Sequence, residues 1–301
     1  MIQFTETGLD VSVNGPCVYL DNWAFIELAE KQPDLRVRFL NAVRQGIDLL
    51  FSVTNAADLS GAKGRSAELV REFLDGIGLN WFPVRLDVTR VVMMERAGGN
   101  PVEACVDKEF FESHVSDQMH SSSPSPVSLI SEALFRLGPI VDRVGCQRES
   151  IQTTSTEFDR VIKDKMSVIH SEYKRQRATF DRKFPIVQFH PRIRASFVYH
   201  NLLRAMAIDS GSLKRGDGLD FCHAVMACAF SSFAALDSYW QRRLSTLPKH
   251  PLARVYSRNG LDRMVSDMEK WLRWRDANVR PPLIRVPKLV LGLRTSGFRL
   301  G

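Results

Sequence analysis

Gly216-Asp217-Gly218-Leu219-Asp220-Phe221-Cys222-His223-Ala224-Val225-Met226-Ala227-Cys228-Ala229-Phe230-Ser231-Ser232-Phe233-Ala234-Ala235-Leu236-Asp237 runs from a glycine break through a helical pattern into a strand pattern and stops at an acid. Glycines at 216 and 218 break the chain, two acids open a small-residue helix, and Leu219, His223, Met226 and Phe230 recur on one face. Phe233 to Leu236 is short, apolar and continuous, which predicts a strand covered on both sides. In a parallel α/β sheet a helix feeding such a strand begins at the strands' carboxyl edge. Asp220 and Asp237 would therefore meet there from opposite ends of one unit, along the edge where open α/β sheets bind ligands.

Working outward, Cys17-Val18-Tyr19-Leu20 is a second buried-strand pattern and Asp21 ends it. Helices are expected over 22–30 and 34–45, then a strand over 48–53. Thr54 or Asn55 is the expected cap of the next helix, with Asp58 in its first turn. Residues 67–77 continue as a helix. Strand and helix alternate as in a parallel sheet. Residues 85–207 read differently. Helical spacing covers 87–97, 127–144, 149–180 and 192–206, and a Ser/Pro-rich hinge falls at 121–126. The stripe Phe158, Val161, Ile162, Lys165, Met166, Ile169 and Tyr173 gives the longest of these helices its packing face. Further on come a helix at 238–247, a strand at 253–256 and a helix at 261–272. The tail from 274 to 301 reads as irregular.

Taken together, the acids at 217, 220 and 237 and the Val18-Tyr19-Leu20-Asp21-Asn22 segment resemble the PIN and PIN-like nucleases. In that family an acid follows the first strand, and further acids open a late helix and follow the next strand. The resemblance covers about residues 12–84 and 208–272. It implies a discontinuous PIN-like domain (1–84 and 208–273), an α-helical insertion (85–207) and a basic C-terminal tail (274–301). It also implies a metal site: Asp21 and Asp237 as ligands, with Asp220, Asp58 and Asp217 completing or orienting it. Asp217 reads equally as a helix cap or a fifth acid. PIN-like proteins commonly carry glutamate as their second acid, which leaves Glu68 in reserve behind Asp58. Many carry Ser or Thr where this chain has Ala235.

Clustered carboxylates repel one another, and hard oxygen donors suit Mg²⁺ or Mn²⁺. Phosphodiester hydrolysis is the chemistry such a site supports. The expected activity is metal-dependent endoribonuclease cleavage, in the setting of a bacterial toxin or defence effector restrained by a protein inhibitor or antitoxin. DNA is the alternative nucleic-acid substrate. The rival class is a non-catalytic module binding nucleic acid or protein.

Composition sets bounds on these readings. Hydrophobic residues at 44% and charged residues at 25% are those of a globular protein. No apolar run reaches membrane-span length, and the start Met1-Ile2-Gln3-Phe4-Thr5-Glu6 lacks an export pattern, so a cytoplasmic address is expected. Five cysteines without a C-x-x-C pair predict core thiols at 17, 222 and 228. Net charge is +7, and residues 239–301 hold 14 Lys/Arg against 4 Asp/Glu. A basic pole beside an acidic site suits a polyanion. Lys174-Arg175-Gln176-Arg177 with Arg182-Lys183 is a second basic run, read either as a solvated face or as a contact surface overhanging the acids. The Gly61-Ala62-Lys63-Gly64-Arg65-Ser66 segment lacks the order of a phosphate loop. His223 is expected to be a satisfied core histidine.

Overall fold

The computed structural model describes residues 2–5, 8–11, 15–110, 113, 136–209, 216–278 and 289–291. The strands are β1 (Ile2–Thr5), β2 (Gly8–Val11), β3 (Cys17–Leu20), β4 (Asp48–Phe51), β5 (Trp81–Pro83), β6 (Phe233–Ala235), β7 (Arg254–Tyr256) and β8 (Leu289–Leu291). The main sheet is all parallel, in the order β5-β4-β3-β6-β7. All residues of β3, β4 and β6 are buried, so their apolar runs are continuous rather than alternating. From β3 the chain builds outward through β4 to β5, then returns to the other side of β3 as β6. The strand order therefore reverses between β3 and β6, and the crevice at their carboxyl ends is the topological switch point.

The helices are α1 (Asn22–Ile26), which continues as a π-helix over Glu27–Lys31, then α2 (Pro33–Arg44), α3 (Val53–Leu59), α4 (Arg65–Ile77), α5 (Val88–Arg96), α6 (Pro101–Cys105), α7 (Leu137–Cys146), α8 (Arg148–Arg175), α9 (Arg177–Lys183), α10 (Arg194–Ile208), α11 (Asp217–Phe230), α12 (Ser238–Ser245) and α13 (Leu261–Asn278). The fold is α/β, a parallel sheet flanked by helices, with a run of helices between β5 and α11. Those middle helices share one hydrophobic cluster with the sheet: Val91, Val141, Ile162, Met166 and Phe197 are buried with Tyr19 and Phe51. Helix α11 is nearly apolar all round, because it lies between the sheet and the helices α8 and α10. Among the described residues no helix is long and apolar enough to cross a membrane.

Several expectations shift. The cap of α3 is Ser52, which forms a capping box with Asn55, so Thr54 and Asn55 already lie inside the helix. Asp58 is consequently in the last turn rather than the first. The helix expected over 149–180 breaks at Gln176 (φ −140°, ψ 60°) into α8 and α9. Strand β5 was not expected. Helix α13 runs to Asn278, past the expected end at 272, and β8 pairs with the β1–β2 hairpin in a small antiparallel sheet, so the tail is not wholly irregular. The hinge at 121–126 and the first half of the helix expected over 127–144 lie outside the described residues.

Candidate active site

Two of the predicted aspartates follow neighbouring parallel strands. Asp21 comes directly after β3, and its backbone N–H donates to Ala235 O at the end of β6 (3.0 Å). Asp237 follows β6 by one residue. Each caps the helix that leaves its strand: Asp21 Oδ1 accepts from Asn22 N–H (2.7 Å), and Asp237 Oδ1 accepts from Tyr239 N–H (2.8 Å) and Trp240 N–H (3.1 Å). Both therefore stand at the switch point with one oxygen engaged.

Asp217 and Asp220 enter from the start of α11, whose cap is Gly216 at φ 94° with no side-chain cap hydrogen bond. Asp217 is thus the first helical residue and not the cap. Helix α8 holds this terminus in place. Asp159 Oδ1 accepts from Gly218 N–H (2.8 Å), and its other oxygen pairs with Lys163 Nζ (2.7 Å). A Cβ on Gly218 would lie 2.6 Å from Asp159 Cα, so this approach requires glycine.

Asp58 comes from α3, and Asn22 Nδ2 donates to its Oδ2. Behind that bond runs a polar chain. Asn55 Nδ2 donates to Asn22 Oδ1 (3.1 Å), Ser52 Oγ to Asn55 Oδ1 (2.7 Å), and Ser52 Oγ bonds Thr54 Oγ1 (3.0 Å). Thr54 Oγ1 then meets His223 Nε2 (3.1 Å), whose Nδ1 bonds the Tyr19 hydroxyl. His223 is the satisfied core histidine that its apolar face implied. Burial lowers its pKa to about 4. Glu68 is exposed on α4 and paired with Arg65.

The charges report the convergence. Burial first, then Asp21, Asp237, Asp217 and Asp58 in that order, push the Asp220 carboxyl up from 3.8 to about 7. Asp21 rises to about 6 through burial and the charges of Asp237 and Asp58, against the pull of the Asn22 N–H. Burial raises Asp58 as well, while Arg148 opposes it. The other four expected aspartates thus all act on Asp220, and Asp237 and Asp58 act on Asp21 as well. Their oxygens are partly engaged by caps and by Asn22, and among the described residues no three His, Cys, Asp or Glu side chains form a ready cation cage.

Sequence reasoning missed Asn22 as a tether, and Arg148 and Asp159 as neighbours. Asn22 stood beside Asp21 in the quoted segment, whereas nothing local marks Arg148, the first residue of α8, as a partner of a residue ninety positions earlier. The basic runs also fall otherwise than expected. Helix α8 passes the acids between Arg148 and Asp159, so Lys174 lies about 22 Å further along its axis, and the run from Lys174 to Lys183 does not overhang them. Glu172 pairs with both Arg175 and Lys183. The C-terminal pole is partly neutralised too: Arg243 pairs with Asp209, Arg254 and Lys270 with Asp267, and Arg275 with Asp276. Cys17, Cys222 and Cys228 are buried, with thiol pKa values raised by that burial.

Comparison with known protein families, curated proteins and solved structures finds no match to this chain.

Proposed function

We propose that this protein is a metal-dependent phosphodiesterase acting on nucleic acid, a PIN-like endoribonuclease by its acid pattern. The observation that carries the reading is the gathering of aspartates from four separate stretches at the switch point of a parallel sheet, where Asp21 and Asp237 follow the adjacent strands β3 and β6 and where burial, then the charges of the other four, raise Asp220 to about 7. Such charge is costly when uncompensated, and hard carboxylate oxygens are the donors that Mg²⁺ and Mn²⁺ prefer. Asp21, Asp220 and Asp237 would hold the ion, each using an oxygen not engaged in a cap, with Asp58 and Asp217 at its flanks. A bound divalent ion supplies an activated water and a counter-charge for the leaving oxygen.

The chain's own residues supply the rest. Asn22 fixes Asp58 and is itself fixed by Asn55, so one wall of the cleft is held by a buried hydrogen-bond chain. Arg148, close enough to Asp58 to lower its pKa, offers a guanidinium for a phosphate oxygen at the same edge. With Ala235 in place of a hydroxyl residue, orientation of an attacking water falls to Asp220 and Asp58. RNA is the expected substrate and DNA the alternative. A toxin or defence role with a protein inhibitor fits this chemistry.

The rival reading, a non-catalytic binding module, is favoured by one observation: among the described residues no three acids stand as a ready cage. Incubating purified protein with labelled RNA and single- and double-stranded DNA in Mn²⁺, Mg²⁺ or EDTA separates the two. A nuclease cuts only with metal, loses cleavage on Asp21→Asn or Asp220→Asn with an unchanged circular dichroism spectrum, and binds substrate more weakly on Arg148→Ala. Absence of cleavage with either metal, across all these substrates, overturns the nuclease reading.

A further inference from the structure

Away from the aspartates, helices α5, α8 and α10 and the segment after α9 enclose a cavity of about 670 Å³, within the range of small-molecule sites. Val92, Ile169, Val187 and Leu203 supply aliphatic wall. Met93 and Val168 also line it, and they are 59% and 66% exposed. Large aliphatic side chains left open around a concave surface are surface that an apolar ligand would cover.

Charge at this cavity is one-sided. Of the cations lining it, Lys183 is neutralised by Glu172 and Arg204 by Asp181, while the acid Asp164 is engaged by Arg160. Lys165 and Arg96 remain. Lys165 Nζ donates to two neutral hydroxyls, Thr89 Oγ1 (3.3 Å) and Tyr199 OH (3.2 Å). Arg96 Nη2 donates to His200 Nε2 (2.7 Å), which must be unprotonated to accept. Among the described residues neither cation has a carboxylate partner. Arg96 bonds His200 and Lys165 bonds the adjacent Tyr199, so the two charges flank one spot on the cavity wall, and burial, then both cations, lower the pKa of that imidazole. Lys165, half-buried with only neutral partners, has unused capacity for an anion, and the exposed Arg96 guanidinium sets a second positive charge beside it.

We propose that this cavity binds a small amphipathic anion, an aliphatic body lying against Met93, Val168 and Leu203 with a carboxylate head seated between Lys165 and Arg96. The inference stands apart from the nuclease reading, since no residue is shared with the acid site. Helix α8 carries both Arg148 and Lys165 and so runs past both places.

Isothermal titration of the full chain with decanoate, decanol and decylammonium tests it. Decanoate is expected to bind one site, with decanol at least about tenfold weaker and decylammonium weaker still, because a charge-assisted hydrogen bond is worth about 1.5–3 kcal/mol. Lys165→Met and Arg96→Met should each weaken decanoate about tenfold and leave decanol unchanged, which also reports an intact apolar wall. Arg96 is exposed, so its variant folds even if Lys165→Met does not. Asp21→Asn should bind decanoate as the wild type does, whatever its effect on cleavage. The proposal is overturned if decanoate does not bind, if the three heads bind equally, or if neither substitution weakens decanoate.

Discussion

Replacing Asp220 by asparagine should stabilise this protein at alkaline pH and do nothing for it in acid. An Asp220 carboxyl raised from 3.8 to about 7 takes up a proton on folding between those values. Its contribution to stability is present below about 4 and is lost as pH rises through 7. Taken at face value the displacement is about 4 kcal/mol. Asp220 keeps solvent access as a residue, even though the groups crowded around its carboxyl desolvate it, and screening by that solvent leaves about 1–2 kcal/mol. The charge on Asp220 also sits in the first turn of α11, where the helix dipole favours it by about 0.3–1 kcal/mol. Repulsion is left ahead at pH 8 by up to about 1.7 kcal/mol, enough to raise Tm by up to about 3 °C in a chain of this size. Thermal melts of wild type and Asp220→Asn from pH 4.5 to 8 in EDTA, taken as a difference so that shared titrations cancel, read this directly. Adding Mn²⁺ at pH 8 should raise the wild-type Tm more than that of the variant. A difference that is flat across the pH range, or negative at pH 8, would refute the claim that these aspartates face one another.

Two further substitutions test how the edge is held. Gly218→Ala places a methyl 2.6 Å from Asp159 Cα, forcing α8 and α11 apart. It should cost about 1–3 kcal/mol in urea unfolding and weaken cleavage, whereas Gly78→Ala, which also costs stability through its φ of 65° but lies ahead of β5 at the strands' amino edge, should leave cleavage by the folded protein intact. His223→Leu takes the imidazole partner from the buried Tyr19 hydroxyl and leaves Thr54 Oγ1 with Ser52 alone, and should cost about 1–3 kcal/mol at pH 7. Because the folded imidazole titrates near 4 rather than 6.5, wild-type stability should fall by up to about 3 kcal/mol as pH drops through that window. That part of the acid limb should vanish in His223→Leu.

Legibility in the sequence followed locality. Cys17–Leu20 and Phe233–Ala235 could be read because a strand covered on both faces is a bare apolar run, and Asp21 and Asp237 followed at once from where those runs stop. Trp81–Pro83 was missed because a three-residue strand ending in proline resembles a loop. Proline is tolerated there because β5 is the sheet's edge. The α3 cap was misplaced by two or three residues because Ser52, Thr54 and Asn55 all have capping side chains. Only the end of β4 at Phe51 gives the role to Ser52. Arg148 and Asp159 were illegible for a different reason: their partners are set by where α8 crosses the sheet edge, and helical periodicity fixes a helix's packing face but not its course.

The bland account of these aspartates is strong for each one singly. Asp21 and Asp237 cap helices, and Asp217 and Asp220 occupy a first turn that welcomes negative charge. That account does not explain why the residues are charged. Serine, threonine or asparagine caps a helix about as well, and Ser52 does so for α3 in this same chain. Neutral side chains at 21 and 237 would keep both caps and remove two of the charges acting on Asp220. Instead, acids arrive from β3, α3, α11 and β6 at one crevice, where burial and mutual repulsion lift two of them to about 6 and 7. A local choice that works against folding stability, repeated at one place from four stretches of chain, is the pattern expected of a functional site. A cation bound there, and a phosphate held by it and by Arg148, would reverse the sign of that repulsion.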